Sequence, residues 1–142
     1  RFGWDARKSD RNLRERGFDF EFASQVFDGP TLEREDTRRD YGEPRVIAIG
    51  RADGITLTVI YTDRAEAGEK VRRIISARVS SRGERQTYDK AVQRRSSRGR
   101  ANLARLRRVS DATIQRTSPR DLRALPDDFW ASAQVVEPVA KQ

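Results

Sequence analysis

Residues 45–78 read RVIAIGRADGITLTVIYTDRAEAGEKVRRIISAR, and this run sets the class of fold. It contains three segments rich in β-branched and apolar residues, Arg45–Arg51, Thr56–Thr62 and Lys70–Ala77. Asp53-Gly54, between the first two, is a dipeptide typical of a tight hairpin turn. A further short strand is predicted to begin at Thr31. Together these segments predict an antiparallel meander of three or four strands.

Helices are predicted on both sides of this meander. Asp5 can cap a helix that ends at Gly17. Phe18–Phe27 is predicted as a second helix because its apolar residues recur at helical spacing, so the two form a helical hairpin. The pair Ser80-Ser81 offers a cap for a polar helix over Gly83–Val92. The predicted fold class is α+β, with the helical hairpin packed on the antiparallel sheet.

The amino-acid composition limits the catalytic groups that the chain can use. The 142 residues include 30 Lys and Arg against 22 Asp and Glu, a net charge of +8, with no histidine and no cysteine. The missing side chains exclude a thiolate nucleophile, an imidazole acid or base and the usual zinc sites. The basic excess favours a polyanionic partner, most plausibly a nucleic acid. The alternative is a coding bias toward arginine combined with a solvated face.

The chain is predicted to divide into a domain over residues 1–92, a basic linker over residues 93–100 and a tail over residues 101–142. The domain has a net charge of +2 and residues 93–142 have +6. The tail is predicted to be mostly helical and extended, with too few apolar residues for a core of its own, so it folds against another surface or stays disordered. Its predicted anchors, Leu103, Leu106, Phe129 and Trp130, either insert into a partner or pack on the domain.

Arginine on the meander and on the helix after it is the main candidate for chemistry. Such residues could cleave RNA without a metal: a carboxylate or tyrosine removes the 2′-hydroxyl proton, and guanidinium groups stabilise the charge on phosphorus. The alternative is that they are solvent-facing residues of half-buried strands. The set consists of Arg45, Arg73, Arg78, Arg82, Arg85, Tyr41, Glu43 and Tyr61.

Several motifs in residues 1–92 resemble the BrnT toxin family. They are FGWDARK from Phe2, GFDFE from Gly17, EDTR from Glu35, YGE from Tyr41, RVIAIG from Arg45, VIYT from Val59 and RIISAR from Arg73. The resemblance implies a RelE-like, metal-independent ribonuclease toxin of a bacterial type II toxin–antitoxin pair, which inhibits translation by cutting RNA. It implies an RNA substrate and no cofactor or metal.

The tail is similar to the N-terminal region of BrnA antitoxins, above all in the segment DDFWASAQVVEP from Asp127. In that family a ribbon-helix-helix DNA-binding segment follows, and residues 101–142 are predicted to lack it. The resemblance implies an antitoxin segment that covers the toxin surface in cis or from a neighbouring chain. Exchange of the tail between two chains would give a homodimer.

The chain departs from the BrnT pattern at one position. The family usually has Lys-His-Gly where this chain has Glu15-Arg16-Gly17. Arginine, with a pKa above about 12, binds phosphate but is not a base near neutral pH. The predicted catalytic residues are Glu15, Arg16, Glu43, Arg45, Tyr61, Arg78 and Arg82, and the predicted RNA-binding residues are Arg14, Arg73 and Arg85.

The departure at Arg16 leaves an alternative to the toxin hypothesis, a non-catalytic protein that binds nucleic acid or assembles a complex.

No run of apolar residues approaches the roughly 18 needed to cross a membrane. We therefore expect a soluble, cytoplasmic protein without a membrane partner.

Overall fold

The computed structural model describes residues 1–92 and 99–138, in which a six-stranded mixed sheet is the central element. The strands lie in the order β1-β5-β4-β3-β2-β6. Their bounds are β1 Phe2–Trp4, β2 Thr31–Glu35, β3 Val46–Ala52, β4 Ile55–Glu66, β5 Glu69–Val79 and β6 Gln134–Val136. All neighbouring pairs are antiparallel except β1 and β5, which are parallel.

The α+β class is confirmed, but the prediction of three or four antiparallel strands is wrong in number and direction. Strands β2 to β5 form the predicted meander, and the two additional strands lie at its edges. β1 and β6 have three residues each, too few to show an alternating pattern. They form because the unpaired backbone groups of an edge strand offer hydrogen bonds to any extended segment placed beside them.

Within the described residues, five α-helices surround the sheet. They are α1 Ala6–Arg16, α2 Phe20–Ser24, α3 Arg82–Ala91, α4 Leu103–Arg107 and α5 Asp111–Thr117, and 3-10 turns occupy Gln25–Asp28, Arg120–Leu122 and Phe129–Ser132. As predicted, the Asp5 side chain caps α1, which ends at Gly17 in the left-handed conformation with φ 92°. The cap of α3 is Ser81, which forms a capping box with Glu84.

The predicted hairpin of α1 and α2 is only partly matched. Helix α2 begins two residues after Phe18, because the Asp19 side chain accepts a hydrogen bond from Phe22 N and caps the helix there. Phe18 instead forms a β-bridge with Ala101 of the tail. Local periodicity cannot show that a distant segment pairs with this residue.

Apolar side chains fill both faces of the sheet. On one face Phe18 and the phenylalanines of α2 pack against Val59, Ile74 and Ala77. Leu106 and Ile114 of the tail join this cluster. On the other face a cluster of Ile47, Ile60 and Ile75 is covered by Leu122 and Phe129 of the tail. The sheet is thus the middle layer of three, and residues after 99 contribute to both outer layers.

The described part of the tail lies against residues 1–92. Asp19 N donates to Arg100 O at 3.1 Å, Asn102 N donates to Gly17 O at 2.8 Å, and β6 pairs with β2. Most of the predicted linker, residues 93–98, is outside the described residues. The sequence leaves open whether the tail folds against another surface or stays disordered. The structure shows residues 99–138 folded against residues 1–92. None of the helices within the described ranges has the length and apolar run needed to cross a membrane.

Candidate active site

A cleft of about 780 Å³ opens between α1, the loop before β3, strand β5 and the tail. Residues 1–92 line it with six basic side chains and one acidic side chain. The basic ones are Lys8, Arg11, Arg16, Arg38, Arg39 and Arg45, and the acidic one is Glu15. The tail adds Arg120, Asp121 and Arg123 on the opposite wall. Because one side is strongly cationic, the cleft attracts anions.

One face of α1 supplies the first wall. Lys8, Asn12 and Arg16 are spaced four residues apart and therefore lie above one another on the helix. Asn12 Nδ2 donates to Phe18 O at 2.9 Å, and Arg16 Nη1 donates to Asn12 Oδ1 at 2.7 Å. Arg16 Nε donates to the carbonyl of Thr117 at 2.9 Å. The Arg16 guanidinium is thus held between its own helix and the tail.

A β-bulge in β5 supplies the floor. Ile60 of β4 is paired with Ser76, whereas the next residue, Tyr61, is paired with Ile74, so Ile75 is the extra residue. Such a bulge changes the direction in which side chains point. Ile75 and Ser76 both line the cleft as a result, and Ser76 Oγ donates to Asp121 Oδ2 of the tail at 2.6 Å.

The loop between β2 and β3 supplies the remaining cations. Arg38 donates two hydrogen bonds to the buried Asp36 carboxylate, at 2.8 and 2.9 Å, and also donates to the carbonyl of Asp121. The Arg45 guanidinium lies 4.3 Å from the centre of the Tyr41 ring. Arg45 Nε is buried and finds no hydrogen-bond partner among the described residues. Arg45 Nη2 lies 3.9 Å from the Glu43 carboxylate, so this acid balances part of its charge.

Burial alters the electrostatics of two of these cations. It lowers the pKa of Lys8; the nearby Arg45 also lowers it, while Asp121 opposes the shift. Burial lowers the pKa of Arg16 as well. Lys8 is therefore easier to deprotonate than an exposed lysine, which suits a group that transfers protons. No cluster of three or more acidic side chains that could hold a metal ion occurs in residues 1–92 and 99–138.

Comparison with protein-family models identifies the family to which residues 4–84 are similar. A family model described as the ribonuclease toxin, BrnT, of type II toxin–antitoxin systems matches residues 4–84. The chain belongs to the BrnT toxin family. No curated protein matches the chain. The matched range contains all six basic residues of the cationic wall, so this wall belongs to the BrnT region. Membership of a type II toxin–antitoxin family implies an antitoxin as a partner.

Three residues of the predicted catalytic set lie in the cleft of this BrnT family member, namely Glu15, Arg16 and Arg45. Tyr61 lies on the other face of the sheet, where its ring contacts Phe27 edge-on at 5.1 Å. Its hydroxyl donates to Glu33, and burial followed by this carboxylate raises the pKa of Tyr61 far above its ordinary value. The Tyr61 hydroxyl therefore keeps its proton near neutral pH and does not act as a base.

Two more predicted residues have charged partners of their own outside the cleft. Arg78 is buried and pairs with Glu84, with nitrogen–oxygen distances of 2.7 and 3.2 Å. Glu43 pairs with Arg64 at 2.7 Å, and its other oxygen lies 3.9 Å from Arg45, which lines the cleft. These contacts show that both side chains have structural partners, and a catalytic role for either stays a prediction.

The remaining predicted arginines do not line the cleft either. Arg14 and Arg82 are exposed, and Arg85 donates to Ser80 O at 2.8 Å. The charge of Arg73 contributes to the lowered pKa of Lys8, but Arg73 is not among the residues that line the cleft. RNA binding by Arg14, Arg73 and Arg85 and a catalytic role for Arg82 remain predictions.

The four predicted anchors of the tail contact residues 1–92. Leu106 is buried in the cluster under α2, and Leu103 packs against the same cluster. Phe129 is 2% exposed in the cluster on the other face. Trp130 Nε1 donates to Glu84 Oε2 at 3.1 Å.

Sequence reasoning missed Lys8, Arg38 and Ser76. A signal for the lysine existed, because polar residues at Lys8, Asn12 and Arg16 recur at the spacing that apolar residues of a buried helix face would have. No local signal existed for Ser76, whose direction depends on the bulge. Arg38 is close to the cleft only because the tail and the loop before β3 meet there.

Proposed function

We propose that this BrnT toxin is a metal-independent endoribonuclease whose active site is the cleft beside α1, and that residues 101–142 are a BrnA-like segment that inhibits it. The observation that supports this most directly is the position of residues 118–123, which lie across a wall of six basic side chains from the BrnT region. RNA, a polyanion, would bind this wall, and cleavage in the cytoplasm would inhibit translation.

The chemistry needs only groups that this chain contains. The 2′-oxygen of RNA attacks the adjacent phosphorus, its bond to the 5′-oxygen breaks, and the products are a 2′,3′-cyclic phosphate and a 5′-hydroxyl. Glu15 at the rim takes the 2′-hydroxyl proton, and Lys8 gives a proton to the leaving 5′-oxygen. Arg16 and Arg45 stabilise the additional negative charge on the phosphoryl oxygens.

Inhibition follows from the contacts of the tail. Strand pairing at β2 and the buried side chains Leu106, Leu122 and Phe129 hold residues 99–138 on the domain. A tethered segment acts at an effective concentration of order mM, so modest intrinsic affinity is enough. The same contacts could be made in cis or by a neighbouring chain, in which case two chains would form a homodimer by exchange.

A cut chain tests the proposal. Residues 93–98 are replaced by a specific protease site, and RNA cleavage is measured in EDTA before and after the cut, at decreasing protein concentrations. We expect the intact chain to be inactive, and the cut chain to gain activity on dilution as the tail dissociates. Native mass spectrometry reports whether the tail is still bound.

Matched variants locate the site. Arg45→Ala should abolish the activity of the cut chain, whereas Arg7→Ala, an exposed arginine on α1 that does not line the cleft, should leave it unchanged. A cut chain that has lost its tail and still leaves RNA intact would contradict the proposal.

A second candidate function is RNA binding without cleavage. It is favoured by the hydrogen bonds that hold Arg16, the residue at the usual histidine position, on Asn12 and Thr117. In that case the cut chain binds RNA with Arg45-dependent affinity and leaves it uncut, with or without Arg16→His.

A further inference from the structure

The tail segment Ser118–Phe129 presents two chemically different groups to the toxin, and both resemble parts of a nucleotide. The first is the Asp121 carboxylate, a small anion in the cationic cleft. The second is the Phe129 ring, a flat aromatic group with the guanidinium groups of Arg34 and Arg38 beside it. These two groups suggest what the cleft binds when the tail is absent.

The Asp121 carboxylate is held where an RNA phosphate would have its best partners. Ser76 Oγ donates to it at 2.6 Å. Its negative charge interacts favourably with three cations of the cleft, Lys8, Arg16 and Arg38. Arginine and lysine side chains bind phosphate through the same kind of charge-assisted hydrogen bonds that they form with carboxylates.

The carboxylate does not use the full capacity of this environment. Arg45 lines the same cleft and adds a further positive charge to it. A phosphodiester has more acceptor oxygens than one carboxylate, and a second phosphate would extend along the wall. The cations that line the cleft outnumber the single charge of Asp121, so the site fits a larger anion.

The position of Asp121 depends on an apolar neighbour. Leu122 is 1% exposed and packs with the isoleucines of β3, β4 and β5. Leu122 N donates to Pro119 O at 3.0 Å and closes the 3-10 turn that contains Asp121. Burial of Leu122 therefore places the carboxylate in the cleft instead of leaving it free to turn into solvent.

The Phe129 ring lies beside two arginine side chains, Arg34 and Arg38. The Arg34 guanidinium carbon is 4.5 Å from the ring centre, and that of Arg38 is 6.0 Å away. Stacking on a guanidinium plane is a common way for proteins to hold an unpaired RNA base. Arg38 contacts both groups, since it also donates to the carbonyl of Asp121. The two subsites are therefore adjacent.

We infer that Ser118–Phe129 inhibits the toxin by imitating one nucleotide of single-stranded RNA. Asp121 occupies a phosphate subsite formed by Lys8, Arg16, Arg38 and Ser76, and Phe129 occupies a base-stacking subsite formed by Arg34 and Arg38. This inference rests on the proposed function, since it takes the cleft as the RNA site. It adds where the phosphate and the base of the substrate lie.

The first test measures binding to the full chain. The probe is a labelled six-nucleotide 2′-O-methyl RNA, which lacks the attacking hydroxyl and cannot be cut by this route. Asp121→Asn keeps the shape of the side chain and removes its charge, and we expect it to raise probe affinity about tenfold because the imitation is weakened. Asp128→Asn, an exposed acid in the same tail, changes the net charge equally and should have little effect.

The second test separates base from phosphate. In the Asp121→Asn chain, the affinity for the six-nucleotide probe is divided by that for an abasic probe with the same backbone. Arg34→Ala should lower this ratio about tenfold, whereas Ser76→Ala should weaken both probes and leave the ratio unchanged. The ratio is not affected by looser packing of the tail, which changes both affinities together.

Two results would overturn the inference: equal effects of Asp121→Asn and Asp128→Asn, or a ratio that Arg34→Ala does not change. Failure of the proposed function is a different result. If no cut chain cleaves RNA but Asp121 and Arg34 control probe binding as expected, the nucleotide imitation stands and the ribonuclease proposal fails. If the cut chain cleaves RNA and Asp121→Asn behaves like its control, the reverse holds.

Discussion

Removing the charge of Glu84 should destabilise the chain strongly. Its carboxylate and the Arg78 guanidinium are each 8% exposed and are joined by hydrogen bonds of 2.7 and 3.2 Å. Glu84 also accepts from Ser81 N at 2.9 Å, Thr58 Oγ1 at 3.1 Å and Trp130 Nε1 at 3.1 Å. Every one of these partners is a donor, so the site is built for an anion.

Glu84→Gln keeps the size of the side chain, leaves Arg78 as a buried cation without a counter-charge, and turns one acceptor into a donor. Losing one partner of a buried pair costs about 3–5 kcal/mol of the free energy of unfolding. Arg78→Met should cost a similar amount, and the double variant should cost clearly less than the sum because no unpaired charge remains. Urea denaturation of the full chain at pH 7, followed by circular dichroism, measures all three.

The control is the more exposed pair of Arg64 and Glu43, with side chains 42% and 25% exposed. Its double-mutant coupling should be about 1 kcal/mol or less. A loss below about 1 kcal/mol for Glu84→Gln, or an additive double variant, would refute the reasoning. If Arg78 were instead a phosphate-binding residue, Arg78→Met would leave stability unchanged and weaken RNA binding.

The same pair predicts a dependence on pH. Burial raises the pKa of Glu84, but the charge and hydrogen bonds of Arg78 outweigh burial, and the net pKa is below its ordinary value of 4.5. The stabilisation is therefore present above pH 4.5 and is lost as the pH falls through the lower pKa of the folded chain. Glu84→Gln should remove this part of the acid dependence in the urea series.

Three further predictions concern the cleft and the tail. In the cut chain, Arg16→His should make the rate of RNA cleavage depend on pH near about 6.5, because an imidazole loses its proton there and a guanidinium does not. A pH profile that matches that of the unchanged cut chain would contradict this prediction. Gly99→Ala should loosen the tail, because its Cβ would lie 2.1 Å from Phe22 N at a φ of +82°. The control is Gly54→Ala, which has a similar φ of +79° but open space around it and should leave the tail in place. Protease sensitivity after residue 99 measures this, and equal sensitivity of the two variants would count against the prediction. Binding of the 2′-O-methyl RNA to the cut chain should weaken with salt by about 0.7 logarithmic units for each phosphate contacted, and a slope near zero would argue against phosphate contacts.

Local signals account for the parts of the fold that could be predicted. The cap at Asp5, the stop at Gly17 and the alternating strands of the meander are each encoded within a few neighbouring residues. The same locality explains the error at the second helix, whose start moves because Phe18 pairs with Ala101. The edge strands β1 and β6 depend on partners far along the chain and have no pattern of their own.

The candidate site could be predicted only in part for the same reason. Arg16 and Arg45 were identified by residue type and family motif, but nothing in the sequence separates them from Arg78, which is paired with Glu84. Ser76 lines the cleft because of the bulge at Ile75, and Arg38 because the tail packs beside the loop before β3. Each depends on packing between segments that are distant along the chain.

The amino-acid sequence by itself determined the α+β class, the central meander, the BrnT motifs and the cationic character of the chain, because periodicity, caps and charge are properties of short segments. Only the tertiary structure decided which cations share one cleft and which are neutralised in the core. It also decided that Asp121 and Phe129 of the tail lie against Ser76 and Arg34. These contacts join residues 45 and 95 positions apart, and such proximity arises only when the sheet and its two outer layers are assembled.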